Sequence, residues 1–552
     1  MSKMVKAVKQ EKLEKDLKVV TNFMGGNSYE INKLDTLKMV TASSIFGEPA
    51  YYRDGEFADM KIKDGTYSYW EGFDKDDLLI DGDKFAGMKT SAIMEKVIDE
   101  ALAEDFGAVL DWAAELRTVY NMRLNPQVIM VRAAQHPARV EFNEAHPGKF
   151  VDVQKIVMSR ADEPASQLTY FLYKNKTKNS LPNILKRTWK TKLESLGKYQ
   201  VAKYKNTGLG MIDVVRISHA NSEIIDELMK NGTVEVQDND KTWENLRSEK
   251  KTWAEILDTI KMGHMALLRN LRNIFTEIDD VDKTKAILED LKKGVLDGKQ
   301  FPFRYYTAYK MIEAANKVNH KALILDTLED CMDISLDNMP KLKGKTMTLT
   351  DNSGSAWGTF NSEYGSATIA EIDNVSAVIT AMLSDEGYVG VFGDKLEIIP
   401  IKKRDGILTQ VKKVTAAGKH IGSSTENGIW LFFDQVLESG EKYDNVFIYS
   451  DMQAGTGKLY GINVSDYKKY SLGRYIDVNA LVKAYRAKVN SKVNVFSVQT
   501  AGYTNVLIPE MQYRSSYMYG WTGKEALYAN AYTKLWNEIE TKKLQNKLNQ
   551  AV

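Results

Sequence analysis

The change of hydrophobic period at Pro340 constrains the fold of this 552-residue chain more than any other feature of its sequence. From Ser91 to about Met339, amphipathic segments follow one another, among them AIMEKVIDEALAED, VDVQKIVMSRA, TWAEILDTIKMGHMALLRNLRNIFTEI and RYYTAYKMIEAANKV. Apolar residues recur in them near helical spacing, which gives each helix one face to bury. Short breaks containing Gly, Pro or Asn separate the segments, so antiparallel helix pairs stacked side by side are expected. No strict sequence period is visible, and the repeat reading rests on the succession of helices.

Beyond Pro340 the pattern switches. Lys341–Lys345 reads as a basic linker, and Thr346–Thr350 then opens a β-branched run that stops at Asp351-Asn352-Ser353-Gly354-Ser355. Further strands are expected at Tyr388–Gly393, Asn445–Ser450 and Val493–Thr500, with helices at Ala370–Leu383, Asn427–Leu437 and Asn479–Val489 between them. Such alternation predicts a parallel, doubly wound α/β sheet, whose ligands sit beyond the carboxyl ends of its strands. Asp351 and Asp451 both fall at such ends. Two domains are therefore expected, residues 1–340 and residues 341–552. Within the first, residues 40–90 mix Gly-Asp turns with Tyr51, Tyr52, Tyr67, Tyr69 and Trp70 and point to no particular fold.

Bulk properties exclude several classes. The single cysteine, Cys331, rules out an intramolecular disulfide and any Cys-rich zinc site. The 75 Lys and Arg residues offset 74 Asp and Glu to a net charge of +1, so partners must be argued from local clusters. The N-terminus carries lysines without the apolar core of a signal peptide, and no apolar run approaches membrane-spanning length. A soluble, cytoplasmic protein is expected.

Asp351, Ser353 and Ser355 place three hard oxygen donors on one loop leaving a strand, which suits Mg²⁺. Two hydroxyls can bind the ion directly while the carboxylate holds it through water. The remaining donors must come from other loops, and Gly422-Ser423-Ser424-Thr425 and Asp451 stand where they are needed, with Ser424 an alternative to Thr425. The plain alternative is a polar turn. Ser353 has no His and Asp partners in motif spacing, and no clustered carboxylates are visible for a two-metal site, so an enzyme is not expected. This combination resembles the metal-ion-dependent adhesion site of von Willebrand factor A domains. The resemblance implies direct binding by Ser353, Ser355 and Thr425, with Asp351 and Asp451 bound through water or alternating with it. It also implies a sixth position for a carboxylate from a protein partner.

The window 186–205 holds seven basic residues, Lys186, Arg187, Lys190, Lys192, Lys198, Lys203 and Lys205, against the single acid Glu194. Interleaved with Trp189, Tyr199 and Tyr204, they offer phosphate contact and base stacking, and the alternative is a solvated helix face. The stretch from about Ala113 to Ile312 contains Lys203-Tyr204-Lys205 leading into Asp213-Val214-Val215-Arg216-Ile217-Ser218-His219. Ala266-Leu267-Leu268-Arg269-Asn270-Leu271 and then Pro302-Phe303 follow. In these motifs and their order it resembles the TROVE module of Ro ribonucleoproteins, which a von Willebrand factor A domain follows, as here.

That resemblance implies an all-α ring of HEAT-like repeats followed by the α/β domain. It implies that single-stranded 3′ ends of misfolded RNA enter the ring, while small structured non-coding, Y-like RNA binds the basic outer surface. Lys203, Lys205 and His219 fall in the RNA-contacting motifs, and Lys186, Arg187 and Lys190 extend the same surface. His219 could equally cap its helix, and Arg269 and Asn270 could equally pack between helices. Arg117, Tyr120, Asn121 and Arg123 are candidates to line the ring. The expected role is RNA quality control or RNA tethering, with a ribonuclease among the candidate partners. The rival reading is a Mg²⁺-dependent protein-interaction module with the helical half as scaffold.

Overall fold

In the computed structural model the described residues are 19–21, 27–43, 46, 90–174, 180–204, 210–237, 241–357, 359–362, 365–422, 426–452, 471–472, 475–501, 505–508, 513–520 and 523–550. Contacts divide the chain into one unit of Met94–Gly298 with Thr307–Leu328 and another of Met1–Ile93, Lys299–Tyr306 and Glu329–Val552.

The first unit is helical, as the 3.6-residue period requires. Its helices include Phe106–Thr118, Leu124–Gln135, Lys149–Val157, Glu163–Lys174, Asn183–Glu194, Met211–Ser218 and His264–Glu277. Local chemistry sets their ends. The Asp105 carboxylate accepts from the Ala108 amide at 2.9 Å, and Thr252 with Glu255 forms a capping box. Buried glutamines then tie neighbouring helices together. Gln127 donates to the Val157 carbonyl (3.0 Å), Gln167 donates to Gln127 (2.7 Å), and Gln154 donates to Gln167 (2.7 Å). An unpaired buried amide costs about 1–3 kcal/mol, so this network rewards one helix register and penalises others.

The second unit is built on a six-stranded sheet: β1 (Leu342–Asp351), β2 (Ser384–Phe392), β3 (Leu396–Pro400), β4 (Asn445–Ser450), β5 (Asn494–Gln499) and β6 (Ser515–Tyr519). Its order is β6-β5-β4-β1-β2-β3, parallel except for the antiparallel edge strand β3. The chain winds outward from β1 to β3, then returns to the other side of β1 for β4 to β6. The switch point therefore lies between the carboxyl ends of β1 and β4, where a doubly wound sheet opens a crevice. Helices Ile369–Leu383, Ile407–Gly418, Glu426–Ser439 and Val478–Lys488 connect the strands, and Glu525–Gln550 follows the last of them.

Two expectations are corrected. Lys341–Lys345 is not a linker, because β1 already runs from Leu342. The Lys345 ammonium is accommodated there by Glu441 at 2.6 Å, by Glu386 at 3.4 Å, and by the faces of Tyr388 and Tyr443. Nor do the contacts divide at 340/341. Strands Val19–Thr21 and Asn27–Glu30 pair with each other, and the second pairs with Asn505–Val506 of the α/β unit. The Tyr29 hydroxyl accepts from Asn479 (2.9 Å), and Tyr517 donates to the buried Asp35 (2.8 Å). Backbone pairing between segments so far apart in sequence has no local signature. Residues 47–89 lie outside the described residues. No helix among the described residues is long and apolar enough to cross a membrane.

Gly387 pairs with Thr346 in this sheet, and a Cβ there would stand 2.1 Å from the Ala381 carbonyl oxygen. Gly387→Ala is expected to cost at least about 1–3 kcal/mol of stability through overpacking against backbone. A lowered urea midpoint for the full chain is the measurement that checks it.

Candidate metal centre and nucleic-acid surface

Strand β1 delivers Asp351 to the switch point, and β4 delivers Ser450 and then Asp451 beside it. All three are buried. Asp351 is held at both oxygens: one accepts from the Ser353 amide (2.9 Å) and the other from the Ser450 hydroxyl (2.7 Å). Ser353 and Ser355 present their hydroxyl oxygens 3.2 Å from each other. Beneath them, Asn352 and Asn374 exchange amide hydrogen bonds of 2.9 and 3.0 Å, and the Thr350 hydroxyl donates to Asn374 at 2.8 Å. This lock ties the loop to the helix Ile369–Leu383. Asp451 is followed by Met452 in the left-handed region, φ 63°. The Asp451 carbonyl oxygen accepts from Gln499 at 3.3 Å. The loop with Thr425 lies outside the described residues.

A further residue belongs to this cluster. Asp373, from the same helix, is fully buried, and its carboxylate lies close enough to Asp351 and Asp451 to feel both charges. Among the described residues, neither Asp373 oxygen receives a hydrogen bond. The neighbouring Thr500 hydroxyl favours its charged form but gives its proton to the Ser450 carbonyl oxygen (3.3 Å). Burial, then repulsion from Asp351 and Asp451, pushes the Asp373 carboxyl well above the usual range. Burial also raises Asp351, against the lowering effect of Ser450 and Ser353. The expectation of no clustered carboxylates agrees with the structure in that, among the described residues, no group of three or more Asp, Glu, His or Cys side chains could hold a metal ion. The oxygen donors that the loop itself gathers are the Ser353 and Ser355 hydroxyls and the Asp351 carboxylate, the donor types that suit a hard divalent cation. The sequence signal for Asp373 was an Asp-Asn pair inside the apolar helix IAEIDNVSAVITAML.

In the helical unit, Lys186, Arg187 and Lys190 lie on the helix Asn183–Glu194, whose buried face is Leu185, Thr188, Trp189 and Leu193. Arg187 and Lys190 are exposed and Lys186 is half-buried. Lys190 lies 3.8 Å from Glu194 and Lys198 lies 2.9 Å from Glu227, so part of the charge is offset. Lys203 sits over the rings of Tyr199 and Tyr204, at 5.7 and 5.4 Å. His219 is the exposed left-handed cap of the helix Met211–Ser218 (φ 54°, ψ 40°). Lys205 lies outside the described residues. Trp189 is not available for base stacking: it is fully buried and its indole N–H donates to Gln167 at 2.7 Å.

The fold also brings in Arg160, which sequence spacing did not suggest. Arg160 lies over the Tyr204 ring at 5.1 Å, and Lys192 donates to the Ser159 carbonyl at 3.1 Å. Burial lowers the Lys192 ammonium below its ordinary value, with Glu163 opposing. Arg117 pairs with Glu163 at 3.0 Å and Arg123 with Asp162, so their charges are largely internal. Tyr120 is buried against Trp112. Asn270 is buried with its amide on the Ala266 carbonyl (2.8 Å), whereas Arg269 is exposed. Trp189→Ala is expected to cost about 3–5 kcal/mol, as for other large aromatic truncations. The check is a fall in melting temperature that Tyr199→Ala, at an exposed ring, does not share.

Comparisons with known proteins agree with this architecture. Residues 237–348 match the TROVE domain. No curated protein matches the sequence. Among solved structures the chain is similar to the Ro (RSR) protein of Deinococcus radiodurans, with a TM-score of 0.52 at 14% identity, over 79% of this chain and 92% of that one. The chain thus carries a match to the TROVE domain over residues 237–348 and shares the fold of that Ro protein, an all-α array of helices joined to a doubly wound α/β domain.

Proposed function

We propose that the chain is an RNA-binding protein of the Ro type, acting in RNA quality control or as an RNA-tethering adaptor in the cytoplasm. The TROVE match over residues 237–348 carries the proposal. Small structured, Y-like RNA is held on the surface with Lys186, Arg187, Lys190, Lys203, Lys205 and His219, and single-stranded 3′ ends of misfolded RNA enter a ring of HEAT-like repeats. The physical support is the exposed charge of Arg187 and Lys190 and the exposed ring of Tyr199 within one short stretch of sequence, a combination that grips phosphates and stacks bases without reading sequence. Binding is the whole activity, and any cleavage of the RNA belongs to a partner ribonuclease. Changing Lys186, Lys190, Lys203 and Lys205 to Glu is expected to weaken binding of a structured RNA with a single-stranded 3′ tail. Each lost phosphate contact should flatten the dependence of log affinity on log salt by about 0.7–0.9. Equal binding and an equal salt slope would rule the surface out.

The second reading concerns the other unit and is compatible with the first. The α/β unit is a von Willebrand factor A-type domain whose switch point binds Mg²⁺ through Ser353, Ser355 and Thr425, with Asp351 and Asp451 behind them. Bound there, the cation supplies a positive centre that a carboxylate of a protein partner can reach. The observation that favours it is the convergence of buried oxygen donors between β1 and β4. Addition of Mg²⁺ to the EDTA-treated full chain is expected to raise its melting temperature, and Asp351→Ala to abolish that rise while leaving RNA affinity unchanged. A rise of the same size in the variant would count against the site.

A further inference from the structure

We propose that Arg160, together with Lys203 and the ring of Tyr204, forms a phosphate seat for an RNA strand at the turn of residues 158–162, away in sequence from the lysine-rich run. The inference rests on the RNA-binding reading above and deepens it. The turn joins the helices Lys149–Val157 and Glu163–Lys174, and charge gathers on it. Arg123 pairs with Asp162, Arg117 pairs with Glu163 at 3.0 Å, and Arg160 brings its Nε to the same Asp162 at 3.1 Å. Two guanidiniums therefore share one carboxylate, which leaves a positive charge in excess. Lys192 adds its ammonium, which donates to the Ser159 carbonyl at 3.1 Å.

A guanidinium that served only the fold would be enclosed with the acid it pairs. The Arg160 side chain is instead 40% exposed, against 3% for Asp162. With Nε on Asp162, the rest of its five-donor fork can meet the oxygens of a phosphate, a geometry for which arginine is suited and lysine is not. Its Cζ lies 5.1 Å from the centroid of the Tyr204 ring, and the Lys203 ammonium lies 5.4 Å from the same centroid. The ring attracts each cation and offsets part of their mutual repulsion, and a bound phosphate removes the remainder. Tyr204 is thus a positioning residue. A nucleic-acid strand fits this seat better than an acidic peptide does, because the exposed ring of Tyr199, 5.7 Å from the Lys203 ammonium, offers a base a face to stack on.

The test is fluorescence anisotropy of a labelled structured RNA with a single-stranded 3′ tail, titrated with the full chain at several salt concentrations. Arg160→Gln is expected to weaken binding about fivefold near 0.15 M salt and to flatten the log affinity against log salt slope by about 0.7–0.9, the mark of one lost phosphate contact. Arg160→Lys keeps the charge and the pairing with Asp162, so its slope should stay at the wild-type value even where the Gln variant folds poorly. Tyr204→Leu should weaken binding about 2–5-fold with the slope unchanged, because it removes a cation–π contact and no charge, and Tyr204→Phe should restore it. Equal losses in Arg160→Gln and Arg160→Lys with wild-type slopes would mean that Arg160 only supports the fold, and would overturn the proposal. Wild-type affinity and slope in Arg160→Gln, with binding weakened by changing Lys186 and Lys190 to Glu, would overturn the role of Arg160 and leave the RNA reading intact. Displacement of the RNA by polyglutamate at equal charge concentration would reassign the seat to an acidic peptide and overturn the proposal. Absence of RNA binding by the wild-type chain would overturn both readings.

Discussion

Strand β1 has a parallel neighbour on each side, β2 and β4, and from Thr346 to Asp351 every residue is buried. A strand enclosed in this way cannot show the alternation of a half-solvated strand, because both of its faces need cover. The helix Ile369–Leu383 supplies part of that cover, with Ala377 taking a hydrogen bond from Thr348. Placing β1 at the centre forces the chain to wind both ways from it. The same placement sets Asp351 beside the end of β4, in the one crevice that such winding opens.

What is buried at that crevice is chemically expensive. Asp351, Asp373 and Asp451 are carboxylates removed from water, and burial raises Asp351 and Asp373 above their ordinary values. A fold retains such a cluster when something balances it, which is why perturbed carboxylates in a cleft mark a functional site. The helical unit handles buried polarity differently. Gln127, Gln154, Gln167 and Trp189 are neutral, and they satisfy one another and the Val157 carbonyl. That network is closed and serves packing, whereas Asp373 has no hydrogen bond at either oxygen among the described residues.

Much of the architecture was legible beforehand. Strand β4 was expected with the bounds it has, and the helices Ile369–Leu383, Glu426–Ser439 and Val478–Lys488 contain nearly all of the stretches expected for them. These elements are long or strongly patterned, so local sequence dominates their structure. The helix Ile407–Gly418 was missed although Ile407, Leu408, Val411 and Val414 carry its period. Strands β3 and β6 were missed because short strands take their identity from their neighbours. Among the candidate site residues, Asp351, Ser353 and Ser355 were readable because one loop carries all three. Thr425 and Lys205 lie outside the described residues.

The sequence by itself determined the two kinds of domain, the strand-end position of Asp351 and Asp451, and the concentration of lysines at 186–205. Each depends on spacing along the chain, which hydrophobic period and donor type report directly. Only the tertiary structure decided that Asp373 stands with the other two carboxylates, that Trp189 is core while Tyr199 is exposed, and that Val19–Thr21 and Asn27–Glu30 belong with the α/β unit. Those outcomes depend on which helix face turns inward and which distant backbone completes a ladder. Neither is encoded in spacing, because both are set by the burial that the assembled sheet and helices impose.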